Sequence, residues 1–165
     1  MTEMQLSRNF KLSDFTKSST ALKYGIINEP NSDELANIQD LVNDLLQPLR
    51  NLLNKDTSLL MESGKIQFVI NITSGFRCKQ LNSHKDIGGS PTSDHVFGRA
   101  ADIQVPGLTP KQLALKIVEL EKNNLLDFDQ VILEPTWVHL GYRKGTNRSQ
   151  VLTCVAKGKY QKGIL

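Results

Sequence analysis

Long apolar runs are missing from this chain of 165 residues. No stretch approaches the roughly 20 residues that a helical membrane span needs. The opening, MTEMQLSRNFKLSDF, also lacks the apolar centre of a secretory leader, which sets the expectation of cytosolic synthesis without a signal peptide. Cysteine is scarce. Cys78 and Cys154 do not make a disulfide framework, and neither belongs to a Cys-x-x-Cys pair. Cys154, inside the apolar-rich QVLTCVAK, reads as a buried small hydrophobe. Acidic residues vanish from Arg143 onward, where Arg143, Lys144, Arg148, Lys157, Lys159 and Lys162 stand without a counter-charge in sequence. That run is first of all a solvated basic face, and secondly a weak attractor for a polyanion such as an anionic cell wall. The overall charge of +3 is too mild to argue for a nucleic-acid partner. Internal repeats and low-complexity linkers are absent too, so residues 1–165 are expected to form one domain, as a monomer. A hydrophobic fraction of 39% against 22% charged residues is enough to build a core.

What is present falls into a helical half and a strand half. NFKLSDFTKSSTALKYGI predicts one or two short helices. Leu35, Ile38, Leu41, Val42, Leu45, Leu46, Leu49 and Leu53 recur at three- and four-residue steps, the stripe of an amphipathic helix. Ser32 or Asp33 is its expected cap, and Pro48 is expected to bend it by withholding a backbone donor. KIQFVINIT has the β-branched content of a buried strand. From Ser74 to Gly98 the chain is rich in Gly, Ser, Asn and Pro, a loop long enough to imply function. ADIQV resumes as a strand, and TPKQLALKIVELEKNN predicts a helix capped by Thr109 with Pro110 in its first turn. FDQVILE, TWVHLGY and QVLTCVAK are three further strands. The expected fold is α+β, with a small, largely antiparallel sheet and helices packed on one side.

Within the long loop, SDHVFGRAAD places His95 and Asp102 seven residues apart around Gly98 and two alanines. On a continuous helix these side chains would lie about 10.5 Å apart along the axis. Ligands of one metal ion sit at roughly 2.0–2.2 Å from it, so a shared ion requires the chain to turn between them. Gly98 permits such a turn. Asp102 then opens a strand with Ile103 and Val105 on its opposite face, and in TWVHLGY the alternation sends His139 away from Val138 and Leu140. Two imidazoles and a carboxylate, with water in a fourth position, suit a catalytic zinc ion. Spacing alone leaves a plainer reading in place, in which His139 is hydrogen-bonded in its sheet and Asp102 is a turn residue.

SGFR, LN, GGSPTSDHVFGRAADI and the later WVHL together resemble the zinc D-alanyl-D-alanine carboxypeptidase family. That family includes phage endolysins and shares the hedgehog/DD-peptidase fold. The matching positions are Ser93, His95, Gly98, Ala100, Asp102, Trp137 and His139, with Phe76 where the family has tyrosine. The opening NFKLSDFTKSSTALKYGIINEP is similar to the phage and prophage branch. The resemblance implies one zinc ion held by His95, Asp102 and His139. It also implies Arg77 as a catalytic and substrate-binding group that grips a peptide carboxylate, and Ser93 as a second substrate contact. His84 has no counterpart in the pattern and is expected in an exposed loop.

One position departs from the pattern. Several branches of the family place an acid three residues before the second histidine, and here that position is Thr136. The nearest acid is Glu134. If Pro135 and Thr136 formed a tight turn, Glu134 would oppose Trp137, Ile132 would oppose His139, and Glu134 would share a face with His139 at about 7–8 Å. Proline disfavours the usual two-residue hairpin turns, so a longer loop is the alternative. Asp127 and Asp129 are the remaining candidates for the general base. The implied function is hydrolysis of peptidoglycan stem peptides, at D-Ala-D-Ala or at L-alanyl-D-glutamate, by a phage or prophage lysis enzyme acting on the wall after release. The missing acid leaves a second reading, a non-hydrolytic zinc module with a structural or virion role.

Overall fold

In the computed structural model, which describes residues 3–165, local sequence chemistry decides where each element begins and ends. Helices α1 (Leu12–Thr16) and α2 (Ser19–Tyr24) are the two short N-terminal helices expected. Helix α3 (Ser32–Asp40) is capped by Asn31 rather than by Ser32 or Asp33. The Asn31 carboxamide oxygen accepts from the Glu34 amide at 2.9 Å, and Glu34 accepts from the Asn31 amide at 2.9 Å. This reciprocal box moves Ser32 and Asp33 into the first turn.

The path continues through a π-helical segment, Leu41–Leu46, into α4 (Gln47–Leu53). The bend expected at Pro48 thus takes the form of a widened turn. Gln47 N donates to Val42 O, five residues back, just ahead of the residue that has no donor. Ile38, Leu41, Val42, Leu45, Leu46, Leu49 and Leu53 are all fully buried. Each such side chain stabilises the fold by about 1.5–3 kcal/mol relative to exposure.

Helix α5 (Thr57–Ser63), capped by Asp56, was not legible as an apolar stripe and has no buried residue. Only the end of KIQFVINIT is a strand, β1 (Asn71–Ser74). The Asn54 side chain accepts from the Phe68 amide at 2.7 Å and donates to the Phe68 carbonyl at 3.0 Å. It occupies the backbone groups that a neighbouring strand would need. The long loop also contains helix α6 (Lys79–Ser83) and a 3-10 turn, Asp94–Phe97.

Strands β2 (Ala100–Gln104), β3 (Gln130–Leu133), β4 (Val138–Gly141), β5 (Gln150–Ala156) and β6 (Lys159–Lys162) complete the sheet, with helix α7 (Pro110–Lys122) between β2 and β3. Thr109 and Gln112 cap α7 reciprocally, as expected. The order is β1-β2-β4-β3-β5-β6, antiparallel except for β3 beside β5. Alternation gives the sheet two unlike faces. Ala101, Ile103, Val131, Leu133, Val138 and Leu140 join Leu41, Leu45, Leu49, Leu113 and Ile117 in one core. The other face carries Asp102, His139, Ile132 and Glu134 along a cleft of about 990 Å³. The α+β expectation, with helices massed on one side of a largely antiparallel sheet, therefore holds. Among the described residues, no helix is long and apolar enough to cross a membrane.

Gly98 ends the 3-10 turn with φ of +69°, and a Cβ there would collide with the Glu34 carbonyl and meet Ile38 Cγ1 at 2.8 Å. Left-handed strain and overpacking together should make Gly98→Ala less stable by about 2–4 kcal/mol. A urea unfolding curve checks this, and an unchanged midpoint would show that the turn is not held against α3.

Candidate metal centre

Three side chains from distant parts of the chain meet on the open sheet face. His139 lies opposite Asp102 in the β2–β4 register, and the 3-10 turn brings His95 over both. His139 Nδ1 is 3.0 Å from Asp102 Oδ1, His95 Nε2 is 3.2 Å from His139 Nδ1, and His95 Nε2 is 3.3 Å from Asp102 Oδ1. Among the described residues this is the group of acidic, histidine or cysteine side chains that can hold a metal ion.

The proton inventory shows that a cation fits. His95 Nδ1 sits 2.6 Å from the Gly75 carbonyl, which can only accept, so this nitrogen carries the hydrogen. Burial disfavours the charged imidazole and lowers the His95 pKa, with Asp102 opposing this in part. The neutral ring then turns a bare Nε2 toward the carboxylate. Burial alone would raise the Asp102 carboxyl, but the two imidazoles hold it well below the usual carboxylate range. Its oxygen is therefore also bare. His139 Nδ1 faces both of these acceptor atoms at once. A tetrahedral ion with bonds of roughly 2.0–2.2 Å separates its ligand atoms by about 3.3–3.6 Å, within a few tenths of an ångström of this triangle. The Gly75 carbonyl plays the outer-shell part that fixes a ligating ring. Gly75 itself lies so close to Phe15 that a Cβ would meet the Phe15 carbonyl at 2.6 Å.

Arg77 lines the same cleft. Its Nη1 donates to Ser74 Oγ at 2.7 Å and lies 3.8 Å from Asp102 Oδ2, and its Nε donates to Asn82 Oδ1 at 3.1 Å. Among the described residues Nη2 has no protein acceptor. Burial lowers the Arg77 pKa and the Asp102 charge offsets this, but a guanidinium stays cationic. Ser93 also borders the cleft, and its carbonyl starts the 3-10 turn by accepting from Val96 N at 2.9 Å.

Glu134 stands where the tight-turn alternative placed it. Ile132 pairs with His139, Leu133 with Val138, and Glu134 N donates to Trp137 O at 3.1 Å. Pro135 and Thr136 make the turn without positive φ, and the Thr136 carbonyl is tied to β2 by Gln104 Nε2 at 2.8 Å. Burial raises the Glu134 carboxyl and the adjacent Cys154 thiol opposes the shift. Asp129 is fully buried and bound by Arg148, while Asp127 accepts from Asn147; neither lines the cleft.

Several expectations need correction. Cys154 is half-buried and faces the cleft beside Glu134, because it shares a strand face with Leu152 rather than with core-facing Thr153. His84 is half-buried, its ring 4.3 Å from that of Tyr24. Arg143, partly buried, pairs with buried Asp94, and Arg148, although exposed, pairs with buried Asp129, so neither is a free charge of the basic run. Asn82, which braces Arg77 from a short helix, carried no signal beyond its place in LN.

The profile of the peptidase M15 family matches residues 8–140, which include all of these cleft residues from Arg77 to His139. No curated protein matches the chain.

The lowered His95 pKa gives metal-free protein a pH signature. Below about pH 6.5 the unfolded chain binds this proton before the folded one does, so stability is complete above that pH and declines as pH falls. The slope reaches at most about 1.4 kcal/mol per unit. Asp102 adds a loss in the same direction below about pH 3.9. Urea midpoints of metal-free protein should fall between about pH 7.5 and 5.5, and His95→Gln should flatten that decline; equal slopes would contradict a neutral buried His95.

Proposed function

Because the chain belongs to the peptidase M15 family, the zinc-dependent D-alanyl-D-alanine carboxypeptidase group of metallopeptidases, we propose that it is a zinc hydrolase of peptidoglycan stem peptides. It would cut at D-Ala-D-Ala as a carboxypeptidase or at L-alanyl-D-glutamate as an endopeptidase. The reading that it serves a phage or prophage in lysis, acting on the wall after release, rests on the similarity of residues 9–30 to that branch. The observation that carries the proposal is the convergence of two imidazoles and a carboxylate beside Glu134 in one cleft.

His95, Asp102 and His139 would hold the ion, which when bound supplies Lewis acidity and a water acidified toward neutral pH. The chain's own groups do the rest. Glu134 takes a proton from the attacking water at its carboxylate and returns it to the leaving amine nitrogen. Its partly buried site favours the neutral form and brings its basicity toward the working range. Arg77, braced by Ser74 and Asn82, offers Nη2 to a substrate carboxylate and so fixes which bond lies over the metal centre. Ser93, which lines the cleft, would make a second substrate contact. Thr136, at the family's acidic position, is replaced in function by Glu134, which favours an enzyme over a structural zinc module.

Purified peptidoglycan, digested with and without a chelator and followed by mass analysis of the fragments, tests the reading. Metal-dependent release of a peptide or of D-alanine is expected, and intact peptidoglycan in both arms would refute it. Glu134→Gln should lose about 10²–10⁴-fold in kcat while still binding zinc. Full activity in that variant would remove Glu134 from the role.

A further inference from the structure

His95 is the one member of the triangle that does not sit in the sheet. It rides on a four-residue 3-10 turn, and such short pieces have weak internal hydrogen bonding. The ring is fixed at one end by Gly75. What fixes the backbone is an ion cluster outside the metal triangle, with its two carboxylates buried and its two guanidiniums partly exposed. Asp94, adjacent to His95 and 9% exposed, accepts from Arg143 Nη2 at both oxygens, at 3.0 and 2.9 Å. Arg143 Nε lies 3.3 Å from Asp129 Oδ2, and Asp129, fully buried, accepts from Arg148 Nε at 2.8 Å and from the Arg148 amide at 3.2 Å. Two carboxylates and two guanidiniums thus close a neutral cluster across three segments. These are the turn carrying His95, the residue before β3, and the loop between β4 and β5.

The cluster is anchored on both flanks by backbone. Asp129 N donates to Gly141 O at 2.9 Å, Gln150 N to Asp129 O at 2.9 Å, and Arg99 N to Asp94 O at 2.9 Å. Arg143 N is also held by Asn147 Oδ1 at 2.7 Å. Both arginines lie beyond the residues matched by the family profile. Removing one arginine leaves a buried carboxylate short of a partner, which couples the placement of the three segments.

We propose that Arg143 is a positioning residue for the metal centre: through Asp94 it locks the 3-10 turn so that His95 meets Asp102 and His139. The inference rests on the reading of His95 as a metal ligand. Arg143 and Arg148 also line the cleft, so a direct substrate contact is the competing role, and the readouts below separate the two.

The test uses the full chain and measures metal, not turnover. Zinc affinity is obtained by competition with a chelator, and the visible spectrum of the cobalt-loaded protein reports ligand geometry. Arg143→Gln and Asp94→Asn should each weaken zinc binding about 10–100-fold and alter the cobalt spectrum. Arg143→Lys should recover most of the affinity, because a single nitrogen makes both contacts to Asp94. If a single variant fails to fold, the double variant Asp94→Asn with Arg143→Gln removes both charges together and should show the same weakened binding. Variants that keep wild-type zinc affinity and spectrum, and lose only substrate KM, overturn the proposal. Wild-type protein that takes up no zinc would instead refute the metal centre itself.

Discussion

The constraint on which the rest depends is the meeting of three metal-ligating atoms from distant parts of the chain. A neutral imidazole nitrogen and a carboxylate oxygen face each other at 3.3 Å with no hydrogen of their own to share. A third donor atom closes the triangle at 3.0 and 3.2 Å. Folding holds these three atoms together, and the core on the far side of the sheet fixes the strands that carry two of them. The Leu41–Leu53 stripe shares one core with Ile103, Val138 and Leu140, the residues that alternate with Asp102 and His139. Packing one face therefore sets the chemistry of the other, since a one-residue slip in β2 or β4 would bury the ligands and expose the core.

A second constraint is the division of labour on the open face. Sheet residues carry the parts that must not move: Asp102 and His139 at the centre, and Glu134 one residue past the end of β3. Loop residues carry the parts that approach from above: His95 on its 3-10 turn, Ser93 before it, and Arg77 held by Ser74 and Asn82. Each loop group is pinned by a polar contact that leaves its working atom free. Gly75 takes Nδ1 of His95 and leaves Nε2, while Ser74 and Asn82 take two edges of Arg77 and leave Nη2.

Patterns of short range were legible in the sequence. The apolar stripe of the long helix, the Thr109 cap, the alternation around His139 and the turning role of Gly98 all follow from spacing and propensity. The Glu134–Trp137 pairing is one of two alternatives that the sequence leaves open, because Pro135 argues against the tight turn that the structure contains. What the sequence hid were contacts between distant polar side chains. Asn54 blocking the backbone at Phe68 shortened a predicted strand, Asn31 displaced the expected caps, and β6 formed from residues with no apolar alternation, all four of them exposed. The pairing of Arg143 with Asp94 has a separation of 49 residues. A run of basic residues cannot reveal which of its members are neutralised by the fold.

X-ray absorption at the zinc edge of protein loaded with one equivalent of zinc addresses the convergence of His95, Asp102 and His139 on a single ion. The account predicts a shell of nitrogen and oxygen at roughly 2.0–2.2 Å, with the outer scattering of two imidazoles and none from sulfur. A sulfur neighbour near 2.3 Å, or a spectrum of fully hydrated zinc, would contradict it.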